Sequence, residues 1–361
     1  MPQPLKIGII GCGGIANGKH LPALSKLADV ELAAFCDIAP EKAAKAREKY
    51  GSSDAKVYAT YQELLADQSL NIVHILTPNN SHAEITIAAL EAGKHVNCEK
   101  PMAKTAADAR RMLDAARRTG KKLTISYQNR FREDSQYLHH AIKEGDLGEI
   151  YYAKAHAVRR RAVPTWGVFL DAEKQGGGPL IDIGTHALDL SLWLMGNYEP
   201  KTVLGQTFRK LGDKENAANA WGSWDPKQFT TEDSAVGMIT MQNGATISIE
   251  ASWALNIMDT EEATCTLCGT EGGADFHGGL RLNGERYSRL YDNKVILGGG
   301  GVAFFDAASS PNAAAEAEMR SWVNAVRTDT DVVVKPEQAL VVSEILEAIY
   351  TSAKTGRAVD F

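Results

Sequence analysis

The sequence predicts an α/β chain in two parts. The first is a doubly wound parallel sheet of Rossmann type, and the second an α+β domain with a mostly antiparallel open sheet. Three observations carry this. Over the first third, short β-branched runs alternate with amphipathic helices, the order that builds right-handed crossovers and a parallel sheet covered on both faces. A glycine-rich turn stands directly after the first strand. Beyond about residue 125 most strands follow one another without intervening helices, as antiparallel sheets require. The expected domains are therefore residues 1–125 and 126–361.

Each element has a local reason. KIGII reads as a strand and IANGKHLPALSKL as the helix behind it; VELAAFCD is followed by PEKAAKAREKYG. NIVHILTP precedes SHAEITIAALEAG, KHVNCEKP precedes TAADARRMLDAARRTG, and KLTISYQ closes the sheet. After one helix, REDSQYLHHAIKEG, the alternating run YYAKAHAVRRR begins the second part. A largely apolar helix comes next, then the strands TVLGQTFR, DSAVGMITMQ, ATISIEASW, EATCTLC and ERYSRLY, separated by turn signals such as QNGA and GTEGG. Two helices, AAEAEMRSWVNAVRT and PEQALVVSEILEAIYTSAKTG, end the chain, and residues 298–311 read as a mobile loop.

The composition is that of a globular protein, with 44% hydrophobic and 23% charged residues in 361. A net charge of −6 offers no basic field for nucleic acid or an anionic membrane. No apolar run approaches the roughly 18 residues of a membrane span. The start, MPQPLKIGII, has no leader pattern, and five cysteines without framework spacing fit reduced thiols, so a cytoplasmic location is expected. Cys265 and Cys268 fall three apart on a strand, hence on opposite faces, and no metal site is expected there.

GCGGIA fits G-x-G-x-x-G/A at a strand-to-helix turn. Gly11 would make the turn, Gly13 would admit a pyrophosphate and Ala16 would let the helix pack closely, and Gly14, Ile15 and Ala16 are expected against the cofactor with the two glycines. Asp37 ends the second strand about 20 residues on, where an acid accepts hydrogen bonds from ribose hydroxyls and repels a 2′-phosphate. The cofactor read from this is NAD rather than NADP. Ligands of open parallel sheets lie beyond the carboxyl ends of the strands. The loops at those ends hold Thr77, Pro78, Asn79 and His82 in TPNNSH, Glu99 and Lys100 in CEKP, and Asn129 in YQNRF. Lys100 follows a core strand at a proline turn, as a crevice lysine or as an ordinary solvated one.

GGGPLIDIGTHALDLSLWLMG, residues 176–196, reads as a buried helix that nonetheless carries Asp182, His186 and Asp189 on one face. Unpartnered buried acids are costly, so three readings stand: a satisfied core network, a metal site without a further ligand cluster, or acid–base catalysis. In VRRRAVPTWG, strand alternation would put Arg159 and Arg161 on one face, as an anion clamp or a solvated edge, and Trp166 would stack on a sugar ring or simply pack.

Together these motifs resemble the Gfo/Idh/MocA oxidoreductases along the whole chain: GCGGIA its dinucleotide fingerprint, TPNNSH its nicotinamide-side loop, CEKP its E-K-P motif and IDIGTHALD its acid-and-histidine helix. The resemblance implies catalysis by Lys100, Asp182 and His186. It implies cofactor contacts from Gly11, Gly13, Asp37, Thr77, Asn79, His82 and Glu99, and a place for Trp166 beside nicotinamide or sugar. It also implies a homodimer or homotetramer formed through the second sheet. The expected activity is NAD-dependent oxidation of a secondary hydroxyl of a sugar or cyclic polyol. Two alternatives stay open, a redox-neutral glycoside hydrolase and a non-catalytic NAD-binding sensor. The glycines at 176–178 would let the chain pass close to the ligand.

Overall fold

The computed structural model describes residues 3–297 and 312–361, so the loop expected over 298–311 lies outside the described residues. The chain forms two compact units, Met1–Phe131 with Ser309–Leu340, and Arg132–Ala308 with Val341–Phe361.

The first unit is built on β1 (Leu5–Ile10), β2 (Val30–Cys36), β3 (Lys56–Tyr58), β4 (Ile72–Ile75), β5 (His95–Cys98) and β6 (Leu123–Ile125). They pair in the order β3-β2-β1-β4-β5-β6, all parallel. That order reverses between β1 and β4, the switch point beyond which such sheets bind ligands. Every residue of β4 and the last four of β1 are buried, as central strands covered on both faces must be. A π-helical turn, Ala16–His20, leads into α1 (Leu21–Leu24). Then come α2 (Pro40–Tyr50), α3 (Tyr61–Ala66), α4 (His82–Glu91) and α5 (Ala106–Thr119). The sequence reading missed β3 and α3. β3 is a three-residue edge strand with no buried position, so it leaves no periodic trace. α3 did leave one, because Thr60 and Glu63 form a capping box.

The second unit contains α6 (Glu133–Lys143), β7 (Ile150–Val158) and α7 (Ala172–Gln175). A π-helical turn, Leu180–Gly184, then runs into α8 (Thr185–Met195). The remaining strands are β8 (Pro200–Phe208), β9 (Ser234–Met241), β10 (Thr246–Ser252), β11 (Glu262–Gly269), β12 (Gly272–Asp275), β13 (Arg281–Arg286), β14 (Arg289–Lys294) and β15 (Val359–Asp360). Their order is β14-β13-β12-β11-β7-β10-β9-β8-β15, antiparallel except for β7 with β10. On the inner face, Ala153, Ala155 and Ala157 lie beside Ile247, Ile249 and Ala251, all buried. Small side chains there let the helix over 180–195 settle close to the sheet: a Cβ added at Gly184 would lie 3.1 Å from that of Ala251. ERYSRLY is not one strand but the tip of the β13–β14 hairpin. Tyr287 and Ser288 turn the chain at φ 53° and 58°, without the Asn-Gly cue that marks such turns in sequence. Cys265 is buried and Cys268 partly exposed.

The C-terminal helices are α9 (Ala313–Thr328) and α10 (Pro336–Thr355). The boundary expected at residue 125 differs from the observed division, which runs to Phe131 and returns Ser309–Leu340 to the first unit. The reason is the apolar stripe of α9. Ala315, Met319, Trp322 and Val323 belong to one core with Ile7, Ile9, Leu21, Leu24 and Phe35. Lys26 with Glu316 at 2.5 Å, and Arg327 with Asp29 at 3.0 Å, flank that contact. Among the described residues no helix is long and apolar enough to cross a membrane.

Candidate active site

In the first unit the site begins where β1 ends. Gly11 has φ +93°, and a Cβ there would stand 2.6 Å from the Leu76 carbonyl oxygen, so no other residue fits. Gly13 and Gly14 differ. A Cβ at either meets no heavy atom within 4 Å, so the space beside the helix N-terminus is open to a ligand. Ile15 is exposed, while Ala16 is fully buried in the core behind the turn. Asp37 is tied to this turn, its carboxylate accepting from the Cys12 N–H at 2.7 Å and the Ala39 N–H at 2.9 Å. Free N–H groups at a helix start suit a diphosphate, and the neighbouring acid suits ribose hydroxyls. These residues fit a dinucleotide.

Two residues expected against the cofactor face elsewhere. His82 is fully buried, with one ring nitrogen 2.8 Å from the Pro101 carbonyl and the other 2.9 Å from that of Thr77. It staples the loops after β4 and β5 together, and burial lowers its pKa from the usual 6.5. Glu99 turns inward. One of its oxygens accepts from Lys19 Nζ and His20 Nε2, both at 2.8 Å, and the other from the Lys100 N–H at 3.0 Å. Lys19 also pairs with Glu318 at 3.2 Å, and His20 Nδ1 lies 3.2 Å from His74 Nδ1. Burial would raise the Glu99 carboxyl, but Lys19, His20 and Lys100 outweigh it and hold the group well below the usual 4.5. Each of these side chains is engaged by protein partners, which residue type alone does not reveal. Lys100 itself is half-buried at the end of β5, with its backbone anchored by Glu99. Thr77, Pro78 and Asn79 occupy the loop after β4, where Ser81 donates to the Thr77 hydroxyl at 2.7 Å. Asn129 is buried in the short turn Gln128–Phe131.

In the second unit, residues 180–194 are buried at every position but two, Asp182 and His186, which are half-exposed. Asp189 is fully buried and does not share their access. The wide π turn carries Asp182 and α8 carries His186, a local irregularity common at functional sites. The Asp182 carboxylate accepts a hydrogen bond from Trp253 Nε1 at 3.1 Å. Trp253 was not singled out in the sequence, nor were the two residues that seat the helix, Glu232 and Tyr350. Glu232 accepts from the Gly178 N–H at 2.8 Å, the Leu180 N–H at 3.2 Å and the Tyr350 hydroxyl at 2.8 Å. Burial raises its pKa against those hydrogen bonds. The glycines before the helix serve this packing and not a ligand. A Cβ at Gly177 would meet the Tyr350 hydroxyl at 2.0 Å, and one at Gly178 the Glu232 carbonyl at 2.3 Å.

The arginine run also departs from expectation. β7 ends at Val158, so strand alternation does not reach Arg159 or Arg161. Arg159 grips Glu262 with two nitrogens, one at 2.6 Å. Arg161 donates to the Leu255 carbonyl at 3.1 Å and to Asn256 Oδ1 at 2.5 Å. Each guanidinium is thus engaged by its own protein partners. Trp166 stands 52% exposed. Of the predicted residues, the glycine turn, Asp37, the loops and Lys100 thus belong to one unit, and Arg159, Arg161, Trp166, Asp182 and His186 to the other.

Comparison with known proteins agrees with this division of labour. Residues 5–127 match the profile of an oxidoreductase family with an NAD-binding Rossmann fold, and residues 139–361 that family's C-terminal alpha/beta domain. The chain is 36% identical to a D-glucoside 3-dehydrogenase of Escherichia coli K12, over 99% of this chain and 98% of that protein. An inositol 2-dehydrogenase of Salmonella paratyphi B is 33% identical over 55% of this chain and 56% of its own length. The fold matches a levoglucosan dehydrogenase solved with NADH and levoglucosan, with a TM-score of 0.85 at 24% identity and 99% coverage of both chains. The chain belongs to the Gfo/Idh/MocA oxidoreductases, and its cofactor is NAD.

Proposed function

We propose that the protein oxidises one secondary hydroxyl of a neutral sugar, sugar glycoside or cyclic polyol, reversibly, with Lys100, Asp182 and His186 as its catalytic residues. One observation carries the reading: a helix otherwise buried over 180–194 keeps one acid and one imidazole accessible, four positions apart. A group held this way can exchange a proton with a ligand, whereas its buried neighbours cannot. His186 takes the hydroxyl proton as general base. Lys100 donates a hydrogen bond to the same oxygen and offsets its developing negative charge. Asp182, oriented by Trp253, positions the substrate or the imidazole. Gly11, Gly13, Gly14 and Asp37 would hold NAD, which would supply the hydride acceptor. A neutral substrate suits a site whose nearby Arg159 is already paired with Glu262. The relatives named for glucoside, inositol and levoglucosan oxidation support the substrate class.

The test is to incubate the purified protein with NAD and a panel of sugars, glucosides and inositols. NADH accumulation is the expected result. Release of an aglycone without net NADH would make the protein a redox-neutral glycoside hydrolase, and NAD binding with neither outcome would make it a sensor. We further infer that copies associate through the outer face of the nine-stranded sheet as a dimer or tetramer. Leu204 and Met238 lie opposite each other there, each 53% exposed, beside Val236 and Phe208. Light scattering should show an oligomer that Met238→Lys weakens.

A further inference from the structure

We propose that Trp166 and Trp221 form a second subsite, which binds the aglycone-side ring of a glycoside whose reacting sugar lies at Asp182 and His186. This rests on the reading of that pair given above and adds the part of the substrate that the pair does not touch.

A ladder of aromatic rings leads outward from the site. Trp253, fully buried, holds Asp182 through its indole N–H. Phe169 meets Trp253 edge-to-face at 6.3 Å between centroids, Trp166 meets Phe169 at 5.9 Å, and Trp221 meets Trp166 at 5.0 Å. Trp253 at the inner end is closed, whereas the two outer rings are open, Trp166 at 52% and Trp221 at 44%. Large apolar rings left open in contact with one another are the usual makings of a binding surface. Trp221 stands three ring-to-ring steps from the indole that orients Asp182. The occupant assigned to the outer rings is a second ring, joined to the reacting sugar.

The outer rings are also held in place. Asn219 mimics a backbone pairing, accepting from the Val163 N–H at 2.8 Å and donating to the Val163 carbonyl at 3.0 Å and the Gly222 carbonyl at 2.7 Å. The Ala220 N–H donates to the Arg161 carbonyl at 3.1 Å, and the Thr165 hydroxyl to the Trp221 carbonyl at 2.7 Å. These bonds lace the two tryptophan loops together, so little ordering remains to oppose binding. The charge nearby is balanced. Arg159 lies 5.2 Å from the Trp221 ring centroid, but Glu262 grips its guanidinium. What the ledge offers is a neutral aromatic surface, suited to the C–H face of a pyranose or to an aryl ring.

The experiment compares wild type, Trp221→Ala and Trp221→Tyr on phenyl and methyl β-D-glucoside. Binding is read by intrinsic fluorescence with NADH present, turnover by NADH formation with NAD, and folding by thermal melts. Wild type should favour the phenyl glucoside. Trp221→Ala should weaken it roughly tenfold while moving the methyl glucoside less than about threefold, with kcat little changed, and Trp221→Tyr should recover most of the loss. Equal weakening of both ligands, no change in either, or no binding of either by wild type overturns the subsite. If the phenyl preference appears and depends on Trp221 but neither glucoside is oxidised, the ledge stands and the catalytic reading falls. If both are oxidised with equal KM in every variant, the reverse holds.

Discussion

Two clusters of acids and bases, one in each unit, use the same side-chain types to opposite ends. In the first, Lys19, His20, His74, Glu99 and Glu318 are all buried and linked through contacts of 2.8–3.2 Å. In the second, Asp182 and His186 are the half-exposed residues of a helix whose other positions are closed. A buried, interlinked cluster holds loops in place, because any lost partner leaves a charge without water. An accessible pair can trade protons with a visitor. Access and partners, rather than the presence of a histidine beside an acid, separate scaffolding from chemistry.

The contrast can be broken by substitution. His186→Ala should lower kcat by about 10²–10⁴-fold while thermal melts show a fold close to wild type. A variant that turns over within a few-fold of wild type would remove His186 from the mechanism. Glu99→Gln should do the opposite, with a loss of stability of about 3–5 kcal/mol in urea unfolding, because Lys19 would remain buried against a weakened partner. If both variants instead lost only activity, the clusters would not differ as described.

The glycine turn sharpens the same point on a smaller scale. Gly11→Ala should cost about 1–3 kcal/mol, given its positive φ and the 2.6 Å approach to the Leu76 carbonyl oxygen. Gly13→Ala should leave stability within about 0.5 kcal/mol yet weaken NAD in a calorimetric titration. Equal effects on NAD and on stability at both positions would contradict a ligand-facing Gly13.

The gentlest test is acid. Burial lowers the pKa of His20, His74 and His82 from the usual 6.5. Below pH 6.5 the unfolded chain therefore binds protons that the folded chain refuses, and stability falls with falling pH. Glu99 is depressed below 4.5, so its contribution is present above that pH and is lost as pH drops through its folded value. Melting temperature should decline from pH 6.5 downward and steepen below 4.5. A flat profile between those values would show that the buried histidines do not titrate as their surroundings require.

What could be read beforehand followed the range of the interaction. The parallel sheet, the glycine turn, Asp37 and the Asp182–His186 spacing are patterns within one or two adjacent elements, so they were visible in the string of residues. Trp253, Glu232 and Tyr350 act on the helix over 180–195 from far along the chain, and nothing local marks them. Glu99 and His82 were noticed for their chemistry, but the direction each side chain takes depends on Lys19 and on the carbonyls of Thr77 and Pro101. The helix α9 itself was plain. Its destination was not, since a stripe says that a face is covered and not by which sheet.

That destination has a consequence for how the protein is made. The two units alternate along the chain, and the core of the first waits for Met319, Trp322 and Val323, which follow the long first segment of the second. A ribosome releases that long segment before the nucleotide fold can finish. A gene cut at residue 131 would yield a fragment with Leu21 and Leu24 lacking their cover. Shuffling this Rossmann half onto another partner therefore means carrying α9 along with it, as two chain segments rather than one.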